Sequence, residues 1–377
     1  MKKRQNILKQ QIVWWICCFS FLFGQAQPQF LSEEAEISVL TCGTGEEMYT
    51  LFGHTALRVK DSKQQLDVVY NWGMFDFQTP DFYSKFVKGD LLYYLDVSRF
   101  NDFLYHYTLD NREVIEQKLI LTYDQKVKIW EDINGQLRTE DRFYTYEFIR
   151  NNCTTKVVDV LNEVLDQPLP TDFPSNNHSY RHILNEGLDD HYFEKLGINL
   201  LFGYKTNKPN DLIFLPVKLK DAIAYDKKIL RSEIRLNQVT TPDKNSFNSI
   251  YLLWGIVLLT GFGCLSKKFR LIYFSLTTLF SLFLLAVSLY SHHIELNFNF
   301  LVLFFNPLFL LGLIFNLKRM VAFAALLSFT SLFFLGIELI LVLSPLIVLH
   351  FLYVLAFFLI MKNEIHINEK NNKFKNA

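Results

Sequence analysis

The chain has 377 residues, of which 50% are hydrophobic and 16% aromatic, with 38 Lys and Arg balancing 38 Asp and Glu. A formal net charge of zero speaks against a nucleic-acid partner, which requires a basic surface. The average hides a division: residues 28–246 are polar enough for water, whereas residues 247–361 are nearly uncharged and rich in Leu and Phe, so an exported soluble domain and a membrane domain are expected in one chain.

Residues 1–26 read as a secretory signal peptide or N-terminal anchor. Lys2, Lys3 and Arg4 form the positive end, "IVWWICCFSFLF" the apolar run, and "GQA" ending at Ala26 a small-residue cleavage site. Cys17 and Cys18 lie inside the apolar run with no small residue before them, which disfavours a lipoprotein signal.

An α+β domain is expected over residues 27–236. Alternation and β-branched content mark "EISVLTC", "HTALRV", "QLDVVYNWG" and "EVIEQKLILT" as strands. Residues 123–137 space Val127, Trp130, Ile133 and Leu137 along one helical face. "FYTYEFIR" reads as a further strand running into Asn151, Asn152 and Cys153, after which Val157, Val158, Leu161, Val164 and Leu165 make a second amphipathic helix that closes near Pro168. Residues 216–236 suggest a helix on the membrane surface or packed on the domain, and residues 237–246 a polar linker.

Five apolar runs follow, at about 247–265, 270–290, 297–317, 320–343 and 345–361, the last two parted by "LSP". With the domain outside, "SKKFR", "NLKRM" and the 362–377 tail face the cytoplasm, while "SHHIELN" and "LSP" carry no Lys or Arg. This is the positive-inside bias, and it predicts an exported N-terminal domain and a cytoplasmic C-terminus.

The chemistry centres on His54 and Cys153. A cysteine at a helix N-terminus meets unsatisfied N–H groups and the positive end of the helix dipole, which favour the thiolate. A histidine on a nearby strand would complete an activated nucleophile and base, and Gly53 beside it leaves room for close approach. Each residue has an ordinary alternative. His54 can be a hydrogen-bonded core residue, and Cys153 can be disulfide-bonded to Cys42, the other cysteine of the exported domain.

Together "ISVLTCGTGEEMYTLFGHTALRV", "VVYNWGMFDF" and "RNNCTTKVVDVL" resemble, over most of residues 36–220, the N-terminal periplasmic domain of Lnb-type bacterial lipoprotein N-acyltransferases. They are similar to the permuted papain-like (NlpC/P60-type) thiol enzymes, in which the histidine precedes the cysteine. The resemblance implies a permuted papain-like fold ahead of an all-α, five-helix transmembrane domain. It implies acyl transfer from a phospholipid donor, through a Cys153 thioester, to the amine of a diacylated lipoprotein, with His54 as base and no cofactor. The third residue is Asn71 or, alternatively, Asp67, which share a strand face. Asn152 and the Cys153 N–H are candidates for the oxyanion, Arg150 for phosphate, and Glu338 in the fourth span for the lipoprotein amine, with His350 as a possible partner. No metal-ligand spacing or phosphate-binding glycine loop is visible. The competing readings are a hydrolase on the same framework, either a phospholipase or a cell-wall peptidase, and a non-catalytic module stapled by Cys42 and Cys153.

Overall fold

The computed structural model describes residues 30–240 and 247–375, with side chains to Leu359; the signal segment and most of the expected linker lie outside them. The soluble part is a mixed α+β domain on a seven-stranded antiparallel sheet. Its elements are β1 (Glu36–Cys42), β2 (His54–Asp61), β3 (Leu66–Met74), α1 (Phe82–Lys88), β4 (Leu92–Arg99), α2 (Phe100–Leu109), β5 (Val114–Leu119), α3 (Tyr123–Leu137), β6 (Phe143–Thr145), α4 (Cys153–Asn162), α5 (Tyr180–Glu186), α6 (Tyr192–Leu201), α7 (Pro216–Tyr225) and β7 (Leu230–Arg235). The strand order is β6-β4-β3-β2-β1-β5-β7.

Strand alternation divides the core between the two faces. Ile37, Val39, Leu57, Val59 and Tyr70 pack with Ile129, Trp130 and Ile133 of α3, Val157 and Leu161 of α4, and Leu219 and Ile223 of α7. Leu40, Cys42, Ala56 and Val69 turn the other way, onto Phe100 and Phe103 of α2. Arg58 belongs to this second face. It is buried with its guanidinium over the Phe100 ring, 3.3 Å from the centroid, and it donates to Asp67 (2.8 and 2.7 Å) and Glu116 (2.9 Å).

Several boundaries differ from the sequence reading. Residues 216–236 divide into α7 and the edge strand β7, which pairs with β5; β7 is largely exposed, so it lacks the apolar alternation that marks a half-buried strand. The "FYTYEFIR" strand stops at Thr145, where the chain turns through Glu147 and Asn151. The segment after β7 is tied to the domain, since Asn237 Oδ1 accepts from Val114 N (2.8 Å) and Thr240 N donates to Asn111 (2.8 Å).

The C-terminal part consists of α8 (Ile250–Gly261), α9 (Lys267–Tyr290), α10 (Leu301–Phe304), α11 (Leu308–Ile314), α12 (Lys318–Leu335) and α13 (Ile337–Lys375). Among the described residues, four segments are long and apolar enough to cross a membrane: Lys267–Tyr290, Ile294–Ile314, Lys318–Leu335 and Ile337–Leu359. Ile250–Leu265 is apolar but shorter. The expected break at "LSP" is corrected. Pro345 lies inside α13, and the Leu341 carbonyl that proline cannot satisfy accepts from Ser344 Oγ (2.9 Å). The break falls instead at Gly336, whose φ of 80° suits glycine.

Two connectors meet the soluble domain. His292 N donates to Lys88 O (2.7 Å), Gly203 N to Glu295 O (2.7 Å) and Asn207 Nδ2 to Leu335 O (2.9 Å). The opposite ends carry Lys267, Lys268, Arg270, Lys318 and Arg319, so the basic residues gather away from the domain.

Candidate active site

The site forms where the ends of β1, β2 and β3 meet the start of α4. Gly53 places His54. Its φ is 79°, and a Cβ there would collide with the Cys42 carbonyl oxygen, so only glycine lets β2 begin so tightly against β1. Gly73 plays the corresponding part on β3. It has φ 93° and lies within the irregularity between Asn71 and Met74 in the pairing with β4, a bulge of the kind that re-aims side chains near sites.

Asn152 places Cys153. Its side chain accepts from Thr154 N (2.8 Å) and Thr155 N (3.0 Å) as the N-cap of α4, while Thr155 Oγ1 accepts from Asn152 N (2.8 Å). Its amide donates to Phe148 O (2.8 Å) and Phe214 O (3.0 Å). Both amide hydrogens are thereby committed, which corrects the expectation that this side chain donates to an oxyanion. As the first residue of the helix, Cys153 keeps an N–H with no intrahelical acceptor.

His54 Nε2 lies 3.3 Å from Asn71 Oδ1. The amide orientation is set by Asn71 Nδ2, which donates to Val69 O (3.3 Å) and Ser98 Oγ (3.4 Å). With Nε2 donating to Asn71, Nδ1 is the ring nitrogen left for the thiol. Burial alone would raise the Cys153 pKa. The His54 ring, the Thr55 backbone N–H and the Thr154 hydroxyl outweigh it and hold the thiol below its usual range. Thr154 is in turn fixed by Thr55, hydroxyl to hydroxyl at 2.9 Å.

Asp67, the alternative third residue, is taken by Arg58 and has no hydrogen bond to His54 among the described residues. Asn71→Ala is therefore expected to slow chemistry at Cys153 by about 10- to 100-fold through loss of imidazole orientation, and Asp67→Asn by less than about threefold. Single-turnover acylation of the two variants measures this; the reverse ranking would sink the assignment of Asn71.

Cys42 and Cys153 are free thiols, which overturns the disulfide reading. Cys42 packs beneath α2 and Cys153 at the margin of the cluster beneath α4. Burial pushes the Cys42 thiol up to about 12. Iodoacetamide is thus expected to label Cys153 at a pH where an ordinary thiol is mostly protonated, and to spare Cys42. The Cys153 rate should fall as pH drops through its lowered pKa, and His54→Ala should move that fall to higher pH. Peptide mapping that finds equal labelling of both thiols, or an unmoved profile, would contradict this geometry.

The other candidates are dispersed. Arg150 is exposed and has no ion pair among the described residues. Glu338, in the first turn of α13, is bound to His182 Nδ1 (2.9 Å) and Ser179 Oγ (3.4 Å), so its carboxylate pins the last helix to α5. His350 is not its partner: it lies twelve residues on, roughly 18 Å along a helix, and faces Tyr273 OH (3.1 Å) and Ser328 Oγ (3.4 Å).

Sequence reasoning missed two groups. Tyr144 has a buried hydroxyl that donates to no acceptor among the described residues, with the Gly73 backbone N–H as a polar neighbour. The point where a Gly73 Cβ would stand is 3.5 Å from Cys153 Cβ and 3.9 Å from that hydroxyl. Burial raises the Tyr144 phenol well above its usual range, so at neutral pH it is a donor. Glu295, in the connector, is buried, accepts from Ile149 N (2.9 Å) and leaves Oε2 unpaired among the described residues. The glycine in "YNWGM" was a signal for Gly73, since glycine inside a strand marks a bulge or a close approach. Tyr144 had no signal of its own.

No group of three or more His, Cys, Asp or Glu suited to a metal occurs among the described residues. No curated protein and no solved structure matches the chain. Residues 23–186 match the family model described as the Lnb N-terminal periplasmic domain. The expectation drawn from the three motifs meets the same stretch, and the sheet that positions His54, Asn71 and Cys153 lies largely within it. The chain thus carries an Lnb N-terminal periplasmic domain over residues 23–186, joined to several apolar helices.

Proposed function

We propose that the protein is a membrane-bound thiol acyltransferase that moves a fatty acyl chain from a phospholipid, through a Cys153 thioester, to the N-terminal amine of a diacylated bacterial lipoprotein. The observation that carries this reading is the pairing of a helix-capped, pKa-lowered Cys153 with a His54 oriented by Asn71. That the histidine precedes the cysteine in sequence agrees with a permuted papain-like arrangement. The concentration of Lys and Arg at the helix ends remote from the domain supports an inner-membrane protein with a cytoplasmic C-terminus.

In the first half-reaction, the Cys153 thiolate attacks the ester carbonyl of the phospholipid. The Cys153 N–H and the Tyr144 hydroxyl stabilise the oxyanion. As the ester C–O bond breaks, protonated His54 gives its proton to the departing lysophospholipid oxygen, leaving Cys153 acylated. In the second half-reaction, the lipoprotein amine attacks the thioester carbonyl and His54 takes its proton. The S–C bond breaks, the amide forms and the Cys153 thiolate returns. Two lipid substrates are reached by one membrane-anchored site, a geometry that a soluble peptidase does not need.

The test uses the full chain in proteoliposomes, with a phospholipid labelled in its acyl chains. Intact-protein mass spectrometry should find one labelled acyl group on Cys153, and a diacylated lipopeptide should then remove it and carry it as an N-acyl group. Tyr144→Phe should slow the first step by about 10- to 100-fold. Release of free fatty acid with the lipopeptide unmodified would replace transfer by hydrolysis, and absence of any acyl-Cys153 would reject thiol chemistry on lipids.

A further inference from the structure

The loop after β3 and helix α1 carry an apolar surface that the soluble fold does not use. None of the α1 residues is buried, although it contains Phe82, Tyr83, Phe86 and Val87. Phe77 and Tyr83 are 59% and 78% exposed, and Met48 and Tyr49 on the neighbouring turn are 79% and 62% exposed. A contiguous patch of this kind marks a contact surface.

Its position indicates which one. The C-terminal end of α1 is fastened to the connector that follows α9. Ser291 Oγ donates to Val87 O (2.7 Å), His292 N to Lys88 O (2.7 Å), and His293 Nε2 lies 2.9 Å from Phe86 O. Lys88 Nζ stands 6.0 Å from the ring of Tyr290, the last residue of α9. Aromatic rings and a lysine at the end of a membrane-crossing helix are the groups that settle at the headgroup level.

The patch is also continuous with the site. Phe77 meets Phe82 (centroids 5.1 Å apart) and Phe75 (4.8 Å). Phe75 meets Tyr93 (5.2 Å), and Tyr93 stacks on Tyr146 (4.4 Å). Tyr93 also meets Tyr144 (6.5 Å), whose hydroxyl and the Cys153 Cβ both border Gly73, 3.9 and 3.5 Å from where a Cβ would stand there. A wall of rings thus runs from the exposed end of the loop to the thiol.

We propose that α1 and the loop before it sit in the membrane leaflet on the domain's side, and that the wall of rings from Phe77 to Tyr146 receives an acyl chain of the phospholipid that acylates Cys153. Recognition by apolar rings fits an acyl chain, and the phospholipid of that leaflet is the chain source in contact with α1. The assignment of the donor rests on the acyltransferase reading; the contact with lipid does not.

The experiment has two arms, both with the full chain in proteoliposomes. In the first, Cys153→Ser protein is irradiated with a phosphatidylethanolamine carrying a diazirine in its acyl chain, and the adducts are mapped by peptide mass spectrometry. Adducts are expected on residues 75–86 and on Tyr93 or Tyr146. Adducts confined to α8–α13 overturn the proposal, and labelling of the wall only by a photoreactive diacylated lipopeptide assigns it to the acceptor and overturns the donor. In the second, the rate of acyl-Cys153 formation from vesicle phospholipid is divided by that from p-nitrophenyl acetate. Phe77→Glu combined with Tyr83→Glu should lower this ratio at least tenfold; an unchanged ratio overturns the proposal. If neither donor acylates the parent protein, the acyltransferase reading fails while the adducts still report on the lipid surface.

Discussion

Cys153→Ser is expected to abolish formation of the triacylated lipopeptide, a loss of about 10³-fold or more, while Cys42→Ser retains it. The physical difference between the two thiols is their surroundings. Cys153 opens a capped helix, faces His54 and receives the Thr55 N–H and the Thr154 hydroxyl, which hold its pKa low despite burial. Cys42 lies under α2 with its thiol pushed up to about 12 by burial. A serine at 153 keeps the volume but is a far weaker nucleophile, because none of these contacts brings a hydroxyl near ionisation at neutral pH. Mass spectrometry of lipopeptide N-termini, with wild type, Cys153→Ser and Cys42→Ser in parallel, measures the effect. Activity surviving in Cys153→Ser would falsify the assigned nucleophile, and equal dependence on both cysteines would return the argument to a structural role for the pair.

Arg58→Met is expected to destabilise the domain by about 3–5 kcal/mol, the usual cost of removing one partner from a buried charge cluster. The side chains of Arg58 and Glu116 are 8% and 2% exposed, so removing the guanidinium strands Glu116 without its counter-ion and frees Asp67 from its bidentate partner. The stacking over Phe100 is lost as well. For a domain of this size the drop corresponds to roughly 10 °C in Tm, read as thermal unfolding of the full chain in detergent. Combining Arg58→Met with Glu116→Gln and Asp67→Asn should recover much of the loss, since no unpaired buried charge then remains. A single variant within about 2 °C of wild type would refute the role given to this cluster.

The strands β1, β2, β3 and β5 and the helix α3 were legible because each buries a regular face, and periodicity reports burial. The strands β4 and β7 were not. The sequence of β4, "LYYLDVSR", mixes exposed and buried positions without clean alternation, and β7 is mostly exposed. The last break in the membrane domain was misplaced for a related reason: proline is the strongest local breaker, yet Ser344 repairs the damage that Pro345 does, and the chain turns at a glycine instead.

The sequence by itself determined the division into an exported α+β domain and an apolar helical part and the family resemblance, and it raised His54 and Cys153 as candidates with Asn71 or Asp67 beside them. Motifs carry those, because a glycine before a histidine and a capped cysteine are local features. Only the tertiary structure decided between Asn71 and Asp67, freed Cys153 from Cys42, committed Asn152 to its cap and Glu338 to His182, and brought Tyr144 and Glu295 toward the site. Apart from the local Asn152 cap and the Arg58–Asp67 pair, these depend on which side chain meets which over long stretches of chain, 17 residues for His54 and Asn71 and 156 for His182 and Glu338. Distances of that kind arise from strand register and packing, which no local pattern encodes.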